Sequence, residues 1–384
     1  MVSDMSPRID PGYELLAAQY IRRQVKQLAD QFAGVCAAED IEFVHRARVA
    51  TRRLRAGLRI FDDCFPARRA RRWRKALRRV TRELGEARDC DVQIDYLCGV
   101  LAGATSKTCF PAIARLLVGV ERRRERLQRR VVRALEHLKS AGVLREMRRA
   151  TKKMLSAGES AAGQPAPAAC QGFERHIVRR WAELRQHQSS LADPSDQDGH
   201  HAMRIAAKRL RYTVEIARPL YGGQLDEALN AIKQVQSELG EVHDCDVWVV
   251  NLDRFAAEER QRIETLFGHG GPFGRLNAGI DYLRRDRQDR RRQVFGELVE
   301  YWQRLQGESF WEGMLAVVYR DGGRGNGSGG TASLPPRAGQ LRNGAGQARR
   351  EPPPVEDGGH PPAPPMASPA APPPRPKPLL TAGS

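Results

Sequence analysis

The sequence predicts an all-α fold: two tandem helical bundles from an internal duplication, related by a pseudo-two-fold, with a disordered C-terminal tail. Three observations carry this. Leu, Val, Ile and Ala recur three or four apart through nearly all of the first 320 residues, the period of a helix buried on one face. Strand-like alternation is almost absent. Two motifs occur twice in the same order: "HRARVATRRLR" from His45 and "HAMRIAAKRLR" from His201, then "ELGEARDCDV" from Glu83 and "ELGEVHDCDV" from Glu238. The offsets are 156 and 155 residues, which chance does not readily produce. Repeats that are few and long indicate fused bundles rather than a solenoid.

Repeat one covers residues 8–156. Its helices are expected at about 12–37, 41–64, 67–85, 88–102, 111–138 and 142–156, with Pro66, Gly85, Pro111 and Gly142 at boundaries. Residues 157–170, rich in Ala, Gly and Pro, read as a linker. Repeat two covers 171–320. Its helices are expected at about 171–191, 198–218, 224–239, 243–258, 273–306 and 309–319, with breaks near Pro219, Gly222, Gly223, Gly240 and Pro272. From Asp321 glycine and then proline take over. Residues 321–384 hold too few apolar side chains to offset the entropy of ordering, so the tail is expected to be disordered with local polyproline II character. It reads as a solvated spacer, with a polyproline-recognising partner as the alternative.

Lys and Arg exceed Asp and Glu by 18, which predicts a polyanionic partner. The aromatic content of 6% argues against stacking of single-stranded bases. Seven cysteines without a CxxC pair fit a reducing cytosol. No run approaches the roughly 20 apolar residues of a membrane span.

The repeated block is informative on a helical wheel. With His45 at 0° and about 100° per residue, Arg48, Arg52, Arg55 and Arg59 fall within one arc of about 60°. Ala47, Leu54, Leu58 and Phe61 gather on the opposite side. The second copy places His201, Arg204, Lys208 and Arg211 in the same way, with Glu215 where the first has Arg59. Like charges three and four apart destabilise a helix by a few tenths of a kcal/mol per pair. A solvated face would interleave Glu. The absence of acids between Phe43 and Phe61, repeated at equivalent positions, points to an external anion. The next helix adds Lys75, Arg78 and Arg82, of which only Arg78 has a basic counterpart in repeat two, Lys233; Asn230 and Ser237 stand at the other two sites. Arg53 and Arg209 fall off the stripe towards the apolar side. They are expected to be buried against the acids of "RDCD" and "HDCD", namely Asp89, Asp91, Asp244 and Asp246. No metal site is expected, because carboxylates alone are a weak metal signal.

An HxxR opening, a following [RK]RLR and a downstream LGxxxDxD, all duplicated, resemble the CHAD domain, the conserved histidine α-helical domain. The resemblance covers residues 8–320. It implies two helical bundles about a pseudo-two-fold with a basic surface or pore between them, binding to inorganic polyphosphate, and association with cytoplasmic polyphosphate granules. By its motifs it implicates His45, Arg48, Arg52, Arg53 and Arg55, with His201, Arg204, Lys208, Arg209 and Arg211. Many relatives carry a triphosphate-tunnel domain before this unit. The first repeat begins too near the start of the sequence to leave room for one, so triphosphatase activity is not expected.

The expected function is therefore non-enzymatic polyphosphate binding, with no cofactor. Polyphosphate has no bases, so Arg forks and Lys point charges suffice and aromatics are unnecessary. A nucleic-acid-binding protein is the alternative, and weak nucleic-acid binding is compatible with the same charge. An enzyme that uses His45 or His201 as phosphoryl acceptor is the third reading. It lacks the carboxylate-held metal that phosphoryl transfer normally needs.

Overall fold

A computed structural model describes residues 10–103, 106–159 and 167–322. Every regular element among them is helical. The first half contains α1 (Pro11–Ala29), α2 (Phe32–Ala37), α3 (Ile41–Ile60), α4 (Ala67–Gly103), α5 (Phe110–Ser140) and α6 (Val143–Glu159). The second contains α7 (Pro167–Arg185), α8 (Gln197–Ala217), α9 (Asp226–Phe267), α10 (Gly274–Gly307) and α11 (Phe310–Gly322). The 323–384 segment, which holds the expected tail and its polyproline stretch, lies outside the described residues.

Local chemistry fixes the starts of the key helices. Asp10 accepts from the Tyr13 amide at 2.9 Å and caps α1, with Pro11 in the first turn. Asp40 accepts from the Glu42 amide at 2.9 Å and caps α3; Asp196 does the same for α8 through Gly199 at 2.8 Å. The two stripe-bearing helices thus begin alike.

Several boundaries differ from those the sequence suggests. The expected helix over 12–37 is interrupted at Asp30 and Gln31, and α2 then ends at Ala38 in the left-handed region with φ 55°. The expected helices 67–85 and 88–102 are one helix, α4, and 224–239 and 243–258 are likewise one helix, α9. Gly85 and Gly240 do not break them, because both are buried inside packed helices, where tertiary contacts outweigh the roughly 1 kcal/mol that glycine costs. The helix expected to reach 191 ends at Arg185 and gives way to a 3-10 turn over Gln188–Ala192. The expected linker is shorter than 157–170: helix continues to Glu159 and resumes at Pro167, and residues 160–166 lie outside the described residues.

The two halves pack in the same order. In the first, α1 lies against α3 and α6, α3 against α4, and α4 against α5. In the second, α7 lies against α8 and α11, α8 against α9, and α9 against α10. One hydrophobic core runs through both halves. It crosses between them at an aromatic cluster, where Tyr13 and Phe61 of the first half pack on Phe173 of the second at ring separations of 5.5 and 5.9 Å. The second crossing joins α10 to α5 and the turn before it. There a Cβ on Gly279 would fall 2.4 Å from the carbonyl oxygen of Cys109, so only glycine lets α10 come this close. The third crossing is the direct packing of α3 on α8, and it builds the site.

Candidate anion-binding seam

α3 and α8 each bury one apolar side in their own half: Ala47, Leu54 and Leu58 on α3, Met203, Leu210 and Val214 on α8. The opposite sides, which carry the basic stripes, meet at the boundary between halves. The stripes therefore line an internal seam rather than an open face.

At the bottom of the seam lie Arg48 and Arg204, each only 1% exposed. They occupy equivalent positions in the two motifs. Asp89 on α4 is 3.9 Å from Arg48 Nη2, and both arginines also feel Asp244 on α9. Burial, then the neighbouring Arg52, pulls the Arg48 guanidinium down to about 10, so it stays charged at neutral pH. Burial also lowers Arg204. All three guanidinium nitrogens of Arg204 and Nη2 of Arg48 are buried without a hydrogen-bond acceptor. The same holds for Arg52 Nη2, Arg88 Nε and Nη1, and Arg211 Nε. His45 Nδ1 is likewise unsatisfied, and burial followed by Arg88 lowers the pKa of that ring.

Above this floor the seam opens into a cleft of about 120 Å³ lined by Arg52, Arg55, Arg59, Arg180, Lys208 and Arg209, with Tyr212 at its base. Arg52 and Arg211 lie 5.9 and 4.7 Å from the Tyr212 ring centroid. Burial alone would push the Tyr212 phenol up, but Arg52 and Arg211 override it and hold the group below its ordinary range. A neighbouring groove shares Arg55 and Arg59 and continues along α4 through Arg71, Arg74, Lys75 and Arg78. The result is a basic track from α8 across α3 to α4.

A family model for the CHAD domain matches residues 19–253. The chain belongs to the CHAD domain family. Among solved structures, the chain is similar to the CHAD domain from the plant Ricinus communis, at 20% identity and a TM-score of 0.51, covering 81% of this chain and 91% of that one. At that identity the likeness concerns the fold alone. It also resembles PptA from Streptomyces chartreusis, at 15% identity and a TM-score of 0.47, covering 75% of this chain and 98% of that one. No curated protein matches the chain. The helical architecture of this CHAD protein continues past the matched residues to Gly322.

Within the CHAD domain most of the residues suggested by sequence do converge, but in different roles. Arg48 and Arg204 were expected on an exposed stripe and are instead its buried floor, because α3 and α8 pack on each other and cover what a lone helix would leave in water. Arg53 and Arg209 were expected to be buried and are not, with side chains 35% and 37% exposed. Arg53 pairs with Glu215 at 2.6 Å, and Arg209 lies 3.9 Å from Glu183. The acids assigned to them have other partners. Asp91 pairs with Arg124 of α5 at 2.6 Å, and Asp246 with Arg291 of α10 at 2.5 Å. Each thus ties the motif helix to the next helix of its own half.

Asp89 and Asp244 face the arginine floor, so carboxylates do reach the seam from α4 and α9. Among the described residues, no group of three or more His, Cys, Asp or Glu is arranged to hold a metal ion. His201 sits against His243, with ring centroids 4.5 Å apart, while its counterpart His45 has Arg88 at the position equivalent to His243. Arg82 pairs with Glu83, and exposed Lys233 contacts Asn230; neither lines the cleft.

Sequence reasoning missed Arg88, Arg180 and Tyr212. Arg88 differs from its counterpart, so the comparison of repeats passed over it. Arg180 lies on α7 outside both motifs, and Tyr212 follows the second motif by one residue. Among the described residues, no helix is long and apolar enough to cross a membrane.

Proposed function

We propose that this CHAD protein binds inorganic polyphosphate in the seam between α3 and α8, without catalysis, and that this binding brings it to polyphosphate granules. The observation that carries the reading is the set of buried guanidinium nitrogens without acceptors on Arg48, Arg52, Arg88 and Arg204. An unsatisfied buried donor costs about 1–3 kcal/mol, and more when charged. Donors of this kind on both halves, converging beneath a cationic cleft, are supplied with acceptors by an oxygen-rich polyanion. Phosphate oxygens accept Arg forks bidentately, and no base or ring is needed.

The direct test replaces Arg52, Arg55 and Lys208 together by Gln in the full chain and measures polyphosphate binding by calorimetry. Charged hydrogen bonds contribute about 1.5–3 kcal/mol each, so affinity falls by several kcal/mol while helicity is retained. Unchanged affinity overturns the assignment of the seam. Duplex or single-stranded DNA that displaces polyphosphate at equal phosphate concentration supports the nucleic-acid alternative instead. Shortened polyphosphate or a phosphorylated product after incubation with magnesium and ATP or polyphosphate overturns the non-enzymatic reading.

A further inference from the structure

A second strongly basic surface lies outside the seam. Arg22, Arg23 and Lys26 of α1 and Arg145, Arg148, Arg149 and Lys152 of α6 line one groove of about 680 Å³. All seven are exposed, and no acid is among the residues that line it. Lys26 reaches Asp30 at 2.8 Å. Arg22 and the four α6 cations have no acidic partner among the described residues. On α6 the cations stand at i, i+3, i+4 and i+7, the spacing at which like charges repel on one helix face. Glu146, one residue from Arg145, is directed away to Trp73 and Arg72 of α4.

Packing does not demand this stripe. α11 occupies the corresponding place in the second half, against α7, and its sequence "FWEGMLAVVYRDG" contains Arg320 as its one cation. The same architectural position is therefore filled with and without the charges. The groove shares no lining residue with the cleft or with its extension along α4, and α1 stands between α3 and α6.

We infer that the α1/α6 groove is a second binding site for a phosphate chain, so that one protein holds two polyphosphate segments and cross-links separate chains. This rests on the ligand proposed for the seam. The lining carries no aromatic ring on which a base would stack. Its apolar member, Leu155, is half-buried, which leaves no anchor for insertion into a bilayer. Cations on both walls suit a thin, base-free polyanion lying along the groove. Two sites on one rigid body either clamp one long chain with gain in avidity or join two chains. At high chain concentration, joining is the outcome that condenses polyphosphate.

The test uses the full chain and two probes. Calorimetry with a short polyphosphate, too short to reach both sites, reads stoichiometry. Light scattering with long polyphosphate reads cross-linking. Native protein is expected to bind about two short chains and to scatter strongly with long ones. Replacing Arg145, Arg148, Arg149 and Lys152 by Gln removes one binding event and the scattering, and leaves the remaining binding event intact. Replacing Arg22, Arg23 and Lys26 by Gln gives the same result from the other wall, and circular dichroism confirms that both variants remain helical. A native stoichiometry of one, insensitive to both variants, overturns the second site while the seam reading survives. One event that is lost only on mutating the α1/α6 groove overturns the seam reading instead. No binding of short polyphosphate at all overturns both. Groove-dependent capture of duplex DNA or anionic phospholipid vesicles without polyphosphate binding overturns the ligand assigned here.

Discussion

Arg53 of α3 and Glu215 of α8 meet across the seam, with the guanidinium Nη2 2.6 Å from the carboxylate Oε1. Glu215 stands where the first motif has Arg59, so the second stripe ends in an acid that clasps the first. The pair links the halves and also removes positive charge beside the cleft.

That pair gives a prediction of opposite signs for stability and binding. Glu215→Gln breaks a bridge that is about a third exposed on the arginine side, so its loss costs about 1 kcal/mol or less. Polyphosphate affinity is expected to rise, because Arg53 becomes available and the local net charge increases. Calorimetry and thermal melts on the same variant check both. A fall in affinity would show that the bridge positions the cleft rather than diluting its charge.

His45 predicts a pH dependence. Burial, then Arg88, holds its pKa below the ordinary histidine value, so the ring is neutral in the free protein at pH 7. A bound polyanion raises that pKa, and binding then takes up a proton. Affinity should therefore strengthen as pH falls through the bound-state pKa, and level off below the free-state pKa. The unliganded protein should respond in the opposite sense. The unfolded chain protonates this ring more readily, so stability from this group falls as pH drops through the ordinary histidine range. His45→Gln should flatten part of the affinity profile. His201 is instead paired with His243. An unaltered slope in His45→Gln would remove the ring from the site.

The fold class and most of the site were legible because helical period and repetition are local signals. The repeated histidine motif located both stripe helices, and its wheel correctly separated Leu54 and Leu58 from Arg52 and Arg55. The wheel failed at Arg48 and Arg53 for one physical reason. It describes a single helix with one core, whereas α3 has a second neighbour, α8, on its polar side. With α8 packed there, Arg48 is buried beside Asp89 of α4, and the off-stripe Arg53 stays at the rim. Gly85 misled in a similar way. It reads as a break, yet a Cβ there would lie 3.7 Å from Arg48 Nε, so larger side chains would crowd the buried guanidinium. The α1/α6 groove joins cations more than 100 residues apart, and no local pattern announces that.

Gly279→Ala tests how firmly the halves are fixed away from the site. The added methyl meets a backbone carbonyl, which cannot rotate away as a side chain would. Overpacking of this kind typically costs about 1–3 kcal/mol, and a clash with backbone belongs at the upper end. Thermal or urea unfolding should show this loss. If α10 shifts to accommodate the methyl, the seam moves with it, and polyphosphate affinity falls as well. A fully stable variant would mean that this contact between α10 and the turn before α5 is loose.

Arg204 separates the requirements of folding from those of binding. Its guanidinium is buried near Asp244 and Asp89, with none of its nitrogens hydrogen-bonded. Arg204→Met alone leaves Asp244 with less compensation and is expected to lower the thermal midpoint. Adding Asp244→Asn removes the carboxylate charge that faced Arg204. Replacement of a buried ionic arrangement by groups of similar volume is often neutral or stabilising by about 1–4 kcal/mol, so the double variant should melt at or above the native midpoint. It should nevertheless bind polyphosphate at least about tenfold more weakly, since one charged contact is worth about 1.5–3 kcal/mol. Polyphosphate should also raise its melting temperature less than it raises that of the native protein, because ligand stabilisation follows affinity. A double variant that melts well below the native protein but binds normally would make Arg204 a scaffold residue and place the polyanion elsewhere on the basic track.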